Sequence, residues 1–445
     1  MNQTQLPDRP ATKAPRAERE LLDAQLEQLR AQGKQVSRAI GVAKQSGEDI
    51  RELLEQRKRL SQQEQDLSQA MVASSKPHEQ ATRQPTKTNS PPPVPSDRQE
   101  LGPVTVARLA EEDTPAWDHF VSQQPQATSY HLSGWQTVLH KSFGHTSHHL
   151  VAKRAGHVVG ALPLVQLNSA LFGNFLVSLP FLNYGGVLAQ DGEVHTKLLE
   201  QAVTVARDLA CSHLELRETA PSATWPMRTD KVSMWLPLPA TKEALWAQIG
   251  SKLRAQIKKG LGQGLTFDMG GVELLDDFYR VFSTNMRDLG TPVYAKRFFE
   301  IVLKEAPGQP ELVLGRDAQG RPVAGALVLR HGARMEVPWA STLRRANGLN
   351  ANMALYWTML SHACEAGCSA FDFGRSTVDA NTHRFKKQWG ASAVPLYWHY
   401  WMADGTAIPQ INPGNPKYRM AIAAWKRLPV VVANRLGPYI SRTLP

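Results

Sequence analysis

Residues 371–390 read FDFGRSTVDANTHRFKKQWG, and they set both the fold class and the place to look for chemistry. The lead-in, Ser369 to Phe373, predicts a short buried strand in which Phe371 and Phe373 flank Asp372. Gly374 breaks that strand. The chain resumes as a short basic helix carrying Arg384, Lys386 and Lys387, closed by Trp389-Gly390. Asp372, Arg375, Ser376, Thr377, His383 and two lysines therefore gather at the carboxyl end of one strand. Open α/β sheets bind ligands at such ends. The stretch predicts a site for an anionic substrate.

Around it, residues 241–403 predict helices over Lys242–Leu261, Leu274–Leu289 and Lys296–Glu305. A hairpin follows, Leu312–Arg316 and Val323–Leu329, turning on Asp317-Ala-Gln-Gly320. Next come a strand over Ala333–Ala340, a helix over Asn352–Glu365, and strands over Ala370–Phe373 and Pro395–Trp401. Residues 104–240 run in a similar order. They predict helices over Thr114–Val121 and Leu132–Lys141, strands over His149–Lys153 and Val158–Val165, a long helix over Val194–Ala210 and a strand over Leu214–Arg217. The shared order predicts a duplicated α/β (α+β) domain, 104–240 and 241–403, followed by an extension over 404–445.

The preceding segment is different. From Arg19 to Ala70 it is rich in Glu, Gln, Leu, Arg and Lys, and apolar residues recur at Leu22, Leu26, Leu29, Val36, Ile40 and Leu54 in three- and four-residue steps. This predicts a helical hairpin or coiled coil over 19–72, turning near Gly47. Pro, Ser and Thr then take over, with PPPVP inside, and predict a disordered linker over 73–103.

Charge narrows the partners. The net charge is +11; residues 1–100 hold 16 basic and 14 acidic side chains, a net +2, which leaves +9 on the remainder. A basic globular part favours phosphate-bearing partners such as nucleic acid, nucleotide-sugars, coenzyme A or anionic membrane. Three cysteines, Cys211, Cys364 and Cys368, suit a reducing compartment and no disulfide framework. The N-terminus lacks an apolar signal core, and no run approaches the roughly 18 apolar residues of a spanning helix. These features predict a cytoplasmic protein with no integral membrane segment. Leu428–Ile440, apolar with Arg427 and Arg435 beside and within it, allows contact with a membrane surface. His140, His145, His148 and His149 match no zinc spacing, so no metal is expected.

Two resemblances sharpen this picture. Residues 161–186 (ALPLVQLNSALFGNFLVSLPFLNYGG), NMRDLGTPVY at 285–294, PWAST at 338–342, FDFGRST, FKKQWG and NPKYRMAIAAWKRLP at 415–429 resemble FemAB-like proteins of the kind associated with PEP-CTERM and exosortase polysaccharide loci. That resemblance runs from about Val104 to the end. It implies tandem GNAT-like acyltransferase domains. Residues 28–54, QLRAQGKQVSRAIGVAKQSGEDIRELL, resemble the tRNA-binding coiled-coil arm of bacterial seryl-tRNA synthetases, with Arg38 where lysine is usual. This implies tRNA contacts at Arg38 and Lys44.

Together the resemblances imply transfer of an aminoacyl group, seryl by the arm's hint, from tRNA to an amine or hydroxyl of an anionic glycan or lipid-linked precursor. The alternative is an acyl-coenzyme A dependent acetyltransferase acting in exopolysaccharide assembly without tRNA. Either donor is a substrate, and no cofactor is required.

The site residues follow from both lines. Asp372 is a candidate base or a partner that holds Arg375, while Arg375, Ser376, Thr377 and Lys387 are candidates for gripping an anion. Lys386, in the Phe385-Lys386 pair that matches the Fem pattern, is the candidate oxyanion stabiliser, and Trp389 would wall the pocket. His383 is a candidate general base or a structural histidine. GNAT enzymes hold the coenzyme A pyrophosphate at the start of the long helix. Arg345, Gly348 and the helix-cap candidate Asn352 retain part of that loop pattern, with Tyr356 one turn on. Arg287 is placed at the cleft edge. Lys252, Arg254, Lys258 and Lys259 form a basic helix that either touches phosphate or is simply solvated.

Overall fold

The computed structural model describes residues 102–444 except 170–171, 222–224, 404–407 and 409–415, together with single residues between 28 and 60. Of the latter, the described residues from Gln28 to Ala39 and from Glu52 to Leu60 are helical, and Asp49 between them is not. Arg38 and Lys44 lie outside the described residues, as does the expected linker apart from Gly102 and Pro103. Residues 1–95 and 96–445 are separate compact units.

The larger unit begins with β1 (Val104–Arg108), α1 (Thr114–Ser122), α2 (Gly134–Phe143), β2 (Thr146–Ser147), β3 (Leu150–Arg154), β4 (His157–Leu162), β5 (Val165–Ser169), β6 (Gly173–Val177) and β7 (Leu188–Ala189). Then come α3 (Gly192–Asp208), β8 (His213–Glu218), β9 (Met227–Arg228) and β10 (Lys231–Pro237). The second half holds α4 (Lys242–Gln248), α5 (Ser251–Leu261), β11 (Thr266–Gly270), α6 (Leu275–Leu289), α7 (Lys296–Glu305), β12 (Glu311–Arg316), β13 (Pro322–His331) and β14 (Arg334–Thr342). It closes with α8 (Ala351–Glu365), β15 (Ala370–Thr377), α9 (Asn381–Lys387), β16 (Ser392–Pro395), β17 (Tyr397–Met402), α10 (Pro416–Trp425) and α11 (Val430–Ser441).

Both halves are built around a short parallel pair bridged by a long helix. In the first, β6 runs into a loop, α3 crosses over, and β8 pairs with β6 only at Leu176↔Leu214 and Val177↔Glu215. In the second, α8 connects β14 to β15, and pairing stops after Glu336↔Asp372. Parallel pairs need such a crossover. α8 is apolar on nearly all sides because it lies between the sheet and α5, burying Ala354, Leu355, Met359, Leu360 and Ala363.

The sheets do not respect the boundary expected at 240/241. β10 inserts beside β15 in the second half's seven-stranded sheet, ordered β11-β12-β13-β14-β15-β10-β16. In return β17 joins β8 in the first half's six-stranded sheet, β2-β5-β6-β8-β17-β9. The single strand expected over Pro395–Trp401 is therefore two, which part at buried Leu396 and serve different sheets. A sequence window holds no sign of this. Both pieces alternate well enough to read as one strand.

The helix expected over Lys242–Leu261 is also two, because Ile249 and Gly250 are extended. Arg254 fills the break, donating to the carbonyls of Trp246, Ala247 and Ile249 at 3.2, 3.3 and 3.1 Å. Its charge thus closes a helix end. Lys258 lies over the Trp246 ring.

Each half contains a strand that completes the other half's sheet, so neither should fold alone. Residues 102–240 and 241–445 made separately are expected to be unfolded or aggregated by circular dichroism. Residues 102–445 should melt in one transition. Two independently folded halves would contradict the exchange.

Candidate active site

Gly374 has φ +73°, a conformation that costs glycine little and other residues more. In an unbroken strand, neighbouring carbonyls point to opposite edges. The strand does not end at Gly374 as expected: β15 runs on to Thr377 with a bulge against β10, and the left-handed turn there lets two consecutive carbonyls converge on one side chain. Lys386, on α9, donates from Nζ to Gly374 O at 2.8 Å and Arg375 O at 2.9 Å. Two of the three ammonium protons are so used, leaving one to point elsewhere. The side chain is 7% exposed, and burial pulls its pKa down to about 8, against the opposing pull of Asp372.

Asp372, one residue before Phe373, is fully buried. The Gly374 N–H and the Ser233 hydroxyl both donate to its Oδ1 at 2.7 Å, and the Tyr184 hydroxyl donates to Oδ2. Trp235 Nε1 in turn donates to the Tyr184 oxygen at 3.3 Å. Burial pushes the Asp372 carboxyl up to about 7, while the Gly374 N–H and the Lys386 charge pull the other way. Its partners are therefore Ser233, Tyr184 and Gly374, and not Arg375. Beside it, Asn183 Nδ2 donates to Glu336 Oε1 at 2.7 Å, and burial raises the Glu336 pKa.

Asn183 and Tyr184 come from the loop after β6. Leu179 and Phe181 in this loop have φ of +63° and +71°, a strained conformation for such residues. At Gly185 and Gly186 a side chain would collide with Leu179 and Glu218. The loop is wedged into position, and the wedge delivers Asn183 and Tyr184 to carboxylates of the other half.

A cavity of about 510 Å³ adjoins this cluster, lined among others by Thr128, His131, Tyr184, Arg217, Glu218 and Trp235. Burial pushes Glu218 up to about 7 and His131 down to about 3, so the histidine is neutral near pH 7.

A positive patch lies on the face shared by β8 and β17. Arg217 and Arg375 stack on Trp398, with guanidinium carbons 4.4 and 4.8 Å from the ring centre. Arg217 Nε is bonded to Glu215 at 2.7 Å, and Tyr400 donates to the same carboxylate. Arg217 Nη2 is buried with no hydrogen-bond partner among the described residues. Arg375 is exposed on part of its surface while protein crowds the rest. Burial, and then the repulsion of Arg217, pull its pKa down to about 10. Glu215 is bonded to Arg217, and no carboxylate is bonded to Arg375 among the described residues, so the patch suits an anion.

Residues 249–387 match the sequence model of a family described as acetyltransferase (GNAT) domain. The second half therefore carries a GNAT-type acyltransferase domain. The solved structure of FemX is 15% identical, with 72% of this chain and 100% of that one covered and a TM-score of 0.50. The C-terminal domain of a putative lysylphosphatidylglycerol synthetase from Agrobacterium fabrum is 14% identical, covering 65% and 92%, with a TM-score of 0.47. A tandem GNAT protein from the clavulanic acid biosynthesis pathway is 15% identical, covering 69% and 100%, with a TM-score of 0.43. Among proteins of curated function, none matches in sequence.

The other site residues expected from sequence are scattered. Ser376 is buried, and Thr377 accepts from Lys231 at 2.8 Å at the surface. Lys387 is exposed, and His383 has its Nδ1 buried without a hydrogen-bond partner among the described residues. Phe385, Trp389 and Tyr356 pack with Phe373 in the core of the second half, and Trp389 is buried there. Arg345 donates to Pro322 O, and no neighbouring atom would crowd a side chain at Gly348. Asn350 takes the N-cap position of α8 without a side-chain capping bond, while Asn352 accepts from Thr342 at 3.3 Å. Arg287 binds Asp288 and donates to Leu428 O at 2.6 Å, tying down the C-terminal segment. Sequence reasoning missed Tyr184, Ser233, Trp235, Glu336, Arg217 and Trp398. Asn183-Tyr184 lay inside a motif that carried the family resemblance, which was the available signal.

Two stability measurements test this geometry. Asp372 keeps its proton up to about pH 7 when folded but releases it near pH 4 when unfolded, so between these values the folded state binds more protons. Wild-type stability should therefore fall with rising pH across that window relative to Asp372→Asn, and the difference should level off above pH 7. Parallel melting curves would contradict the buried carboxyl. Gly374→Ala should cost about 1–3 kcal/mol in denaturant melts.

Proposed function

We propose that the protein transfers an aminoacyl group from tRNA to an amine or hydroxyl of an anionic cell-envelope glycan or lipid-linked precursor. The observation that carries the chemistry is Lys386, a buried ammonium fixed by two carbonyls with one proton left over. The acceptor enters through the cavity at Tyr184 and Trp235, and its anionic group pairs with Arg375. Its nucleophile attacks the ester carbonyl, and the oxyanion that forms takes the remaining Lys386 proton as a hydrogen bond. The nucleophile's proton passes to Tyr184, whose own proton moves to Asp372. On collapse the relay runs backwards and protonates the departing tRNA hydroxyl, so the enzyme ends as it began. The sequence likeness of residues 28–54 to a tRNA-binding arm supports the donor, with seryl as the first group to try.

The match to an acetyltransferase domain favours a second donor, acyl-coenzyme A. Binding of the full chain and of a version starting at Val104 to bulk tRNA, tRNA-Ser and coenzyme A separates the two. Selective tRNA-Ser binding that needs the N-terminal segment is expected. Coenzyme A binding without tRNA binding would replace the first donor with the second.

Once a donor is in hand, Lys386→Ala should lower kcat by about 10²–10³ with little change in KM. The rate should rise through about pH 7 as Asp372 ionises and fall above about pH 8 as Lys386 loses its proton. Glu218 lines the same cavity and is also pushed to about 7, so Asp372→Asn decides the assignment. It must abolish the acid limb. A limb that survives would remove Asp372 from the reaction.

A further inference from the structure

The C-terminal helix α11 is packed inside out. It docks through its small residues: a side chain at Gly437 would collide with the Val293 backbone, and the Ser441 hydroxyl donates to Val293 O at 3.1 Å. Ala433 is buried on the same side, and Asn434 donates to Ser283 of α6. At about 3.6 residues per turn, the opposite arc carries Val431, Val432, Leu436 and Tyr439, with Arg435 and Arg442 among them. Val431 is 79% exposed and Tyr439 67%, whereas a surface helix ordinarily turns such residues inward. Met420 on α10, 71% exposed, and Leu289 at the end of α6, 55% exposed, add apolar surface on neighbouring elements.

Charge says what this face meets. From Gly405 to Pro445 the sequence has six basic residues (Lys417, Arg419, Lys426, Arg427, Arg435 and Arg442) and no acidic one. Isolated apolar residues on a surface need no explanation, but an outward apolar arc set with arginines does. α11 spans 12 residues with Pro438 inside, too short to cross a bilayer, which needs about 20. Among the described residues, no helix is long and apolar enough to cross one.

We infer that the outward face of α11 docks the protein on an anionic lipid bilayer, lying in the interface with its valines and Tyr439 among the acyl chains and its arginines on the phosphates. The inference is independent of the acyl donor and acceptor proposed above.

The test is co-sedimentation of the purified full chain with vesicles of phosphatidylcholine alone or mixed with phosphatidylglycerol, at low and high salt. Binding is expected only to the mixed vesicles and should weaken with salt. Val431→Ser/Tyr439→Ser and, separately, Arg435→Glu should each reduce binding about tenfold or more. Both variants alter exposed side chains, and unchanged melting temperatures would show that they fold. Failure to bind either vesicle, or full binding by the serine variant, overturns the inference. So does a solution dimer that the serine variant dissociates, because the face would then be covered by a second copy.

Discussion

A buried ammonium is expensive unless its protons are taken up, and the second half of this protein is arranged around taking up those of Lys386. The bulge at Gly374 supplies two carbonyls from adjacent residues, which no regular strand can do. Charge-assisted bonds of this kind are about twice as strong as neutral ones. They hold α9 against the end of β15. The Gly374 N–H, freed from the ladder by the same bulge, binds the Asp372 carboxyl instead. One glycine thus fixes a cation and an anion on the two sides of a single kink.

The exchange of strands explains why this kink lies where the halves meet. β10 runs beside β15 and brings Ser233 and Trp235; the loop after β6 brings Asn183 and Tyr184; β17 brings Trp398 under Arg217 and Arg375. Neither half holds the full set. Positive φ at Leu179 and Phe181 is a cost that only a tightly determined surrounding sustains, and such strain concentrates at functional sites. The result is a pre-positioned constellation on strands and a wedged loop, suited to stabilising the charge that develops in the proposed acyl transfer.

Much of the fold was legible because it rests on local patterns. α7 has the bounds expected from sequence, and α6, α8 and α3 fall within two residues of theirs, since amphipathic or capped helices announce themselves. What the sequence hid was long-range. Nothing in residues 392–402 says that Leu396 divides two sheets, and β10 had no assignment at all. The same limit applies to the site. Lys386, Asp372 and Arg375 could be named because they share one stretch with a strand end. Tyr184 and Ser233 reach Asp372 across 188 and 139 positions, which no spacing rule detects. Trp389 and Arg287 stood in the family motifs for packing and anchoring, which motif and function alone do not separate.

The account stands on Lys386 being a desolvated cation held beside the Asp372 carboxyl. An NMR titration of the protein with isotope-labelled lysine side chains measures this without any substrate. One lysine signal, absent in Lys386→Met, should titrate near pH 8, well below the usual value of a lysine side chain. In Asp372→Asn that signal should titrate lower still, because the carboxylate's charge favours the ammonium. If every lysine titrates near 10.5, or if Asp372→Asn leaves the Lys386 signal unmoved, the buried pair and the acyl-transfer centre built on it are wrong.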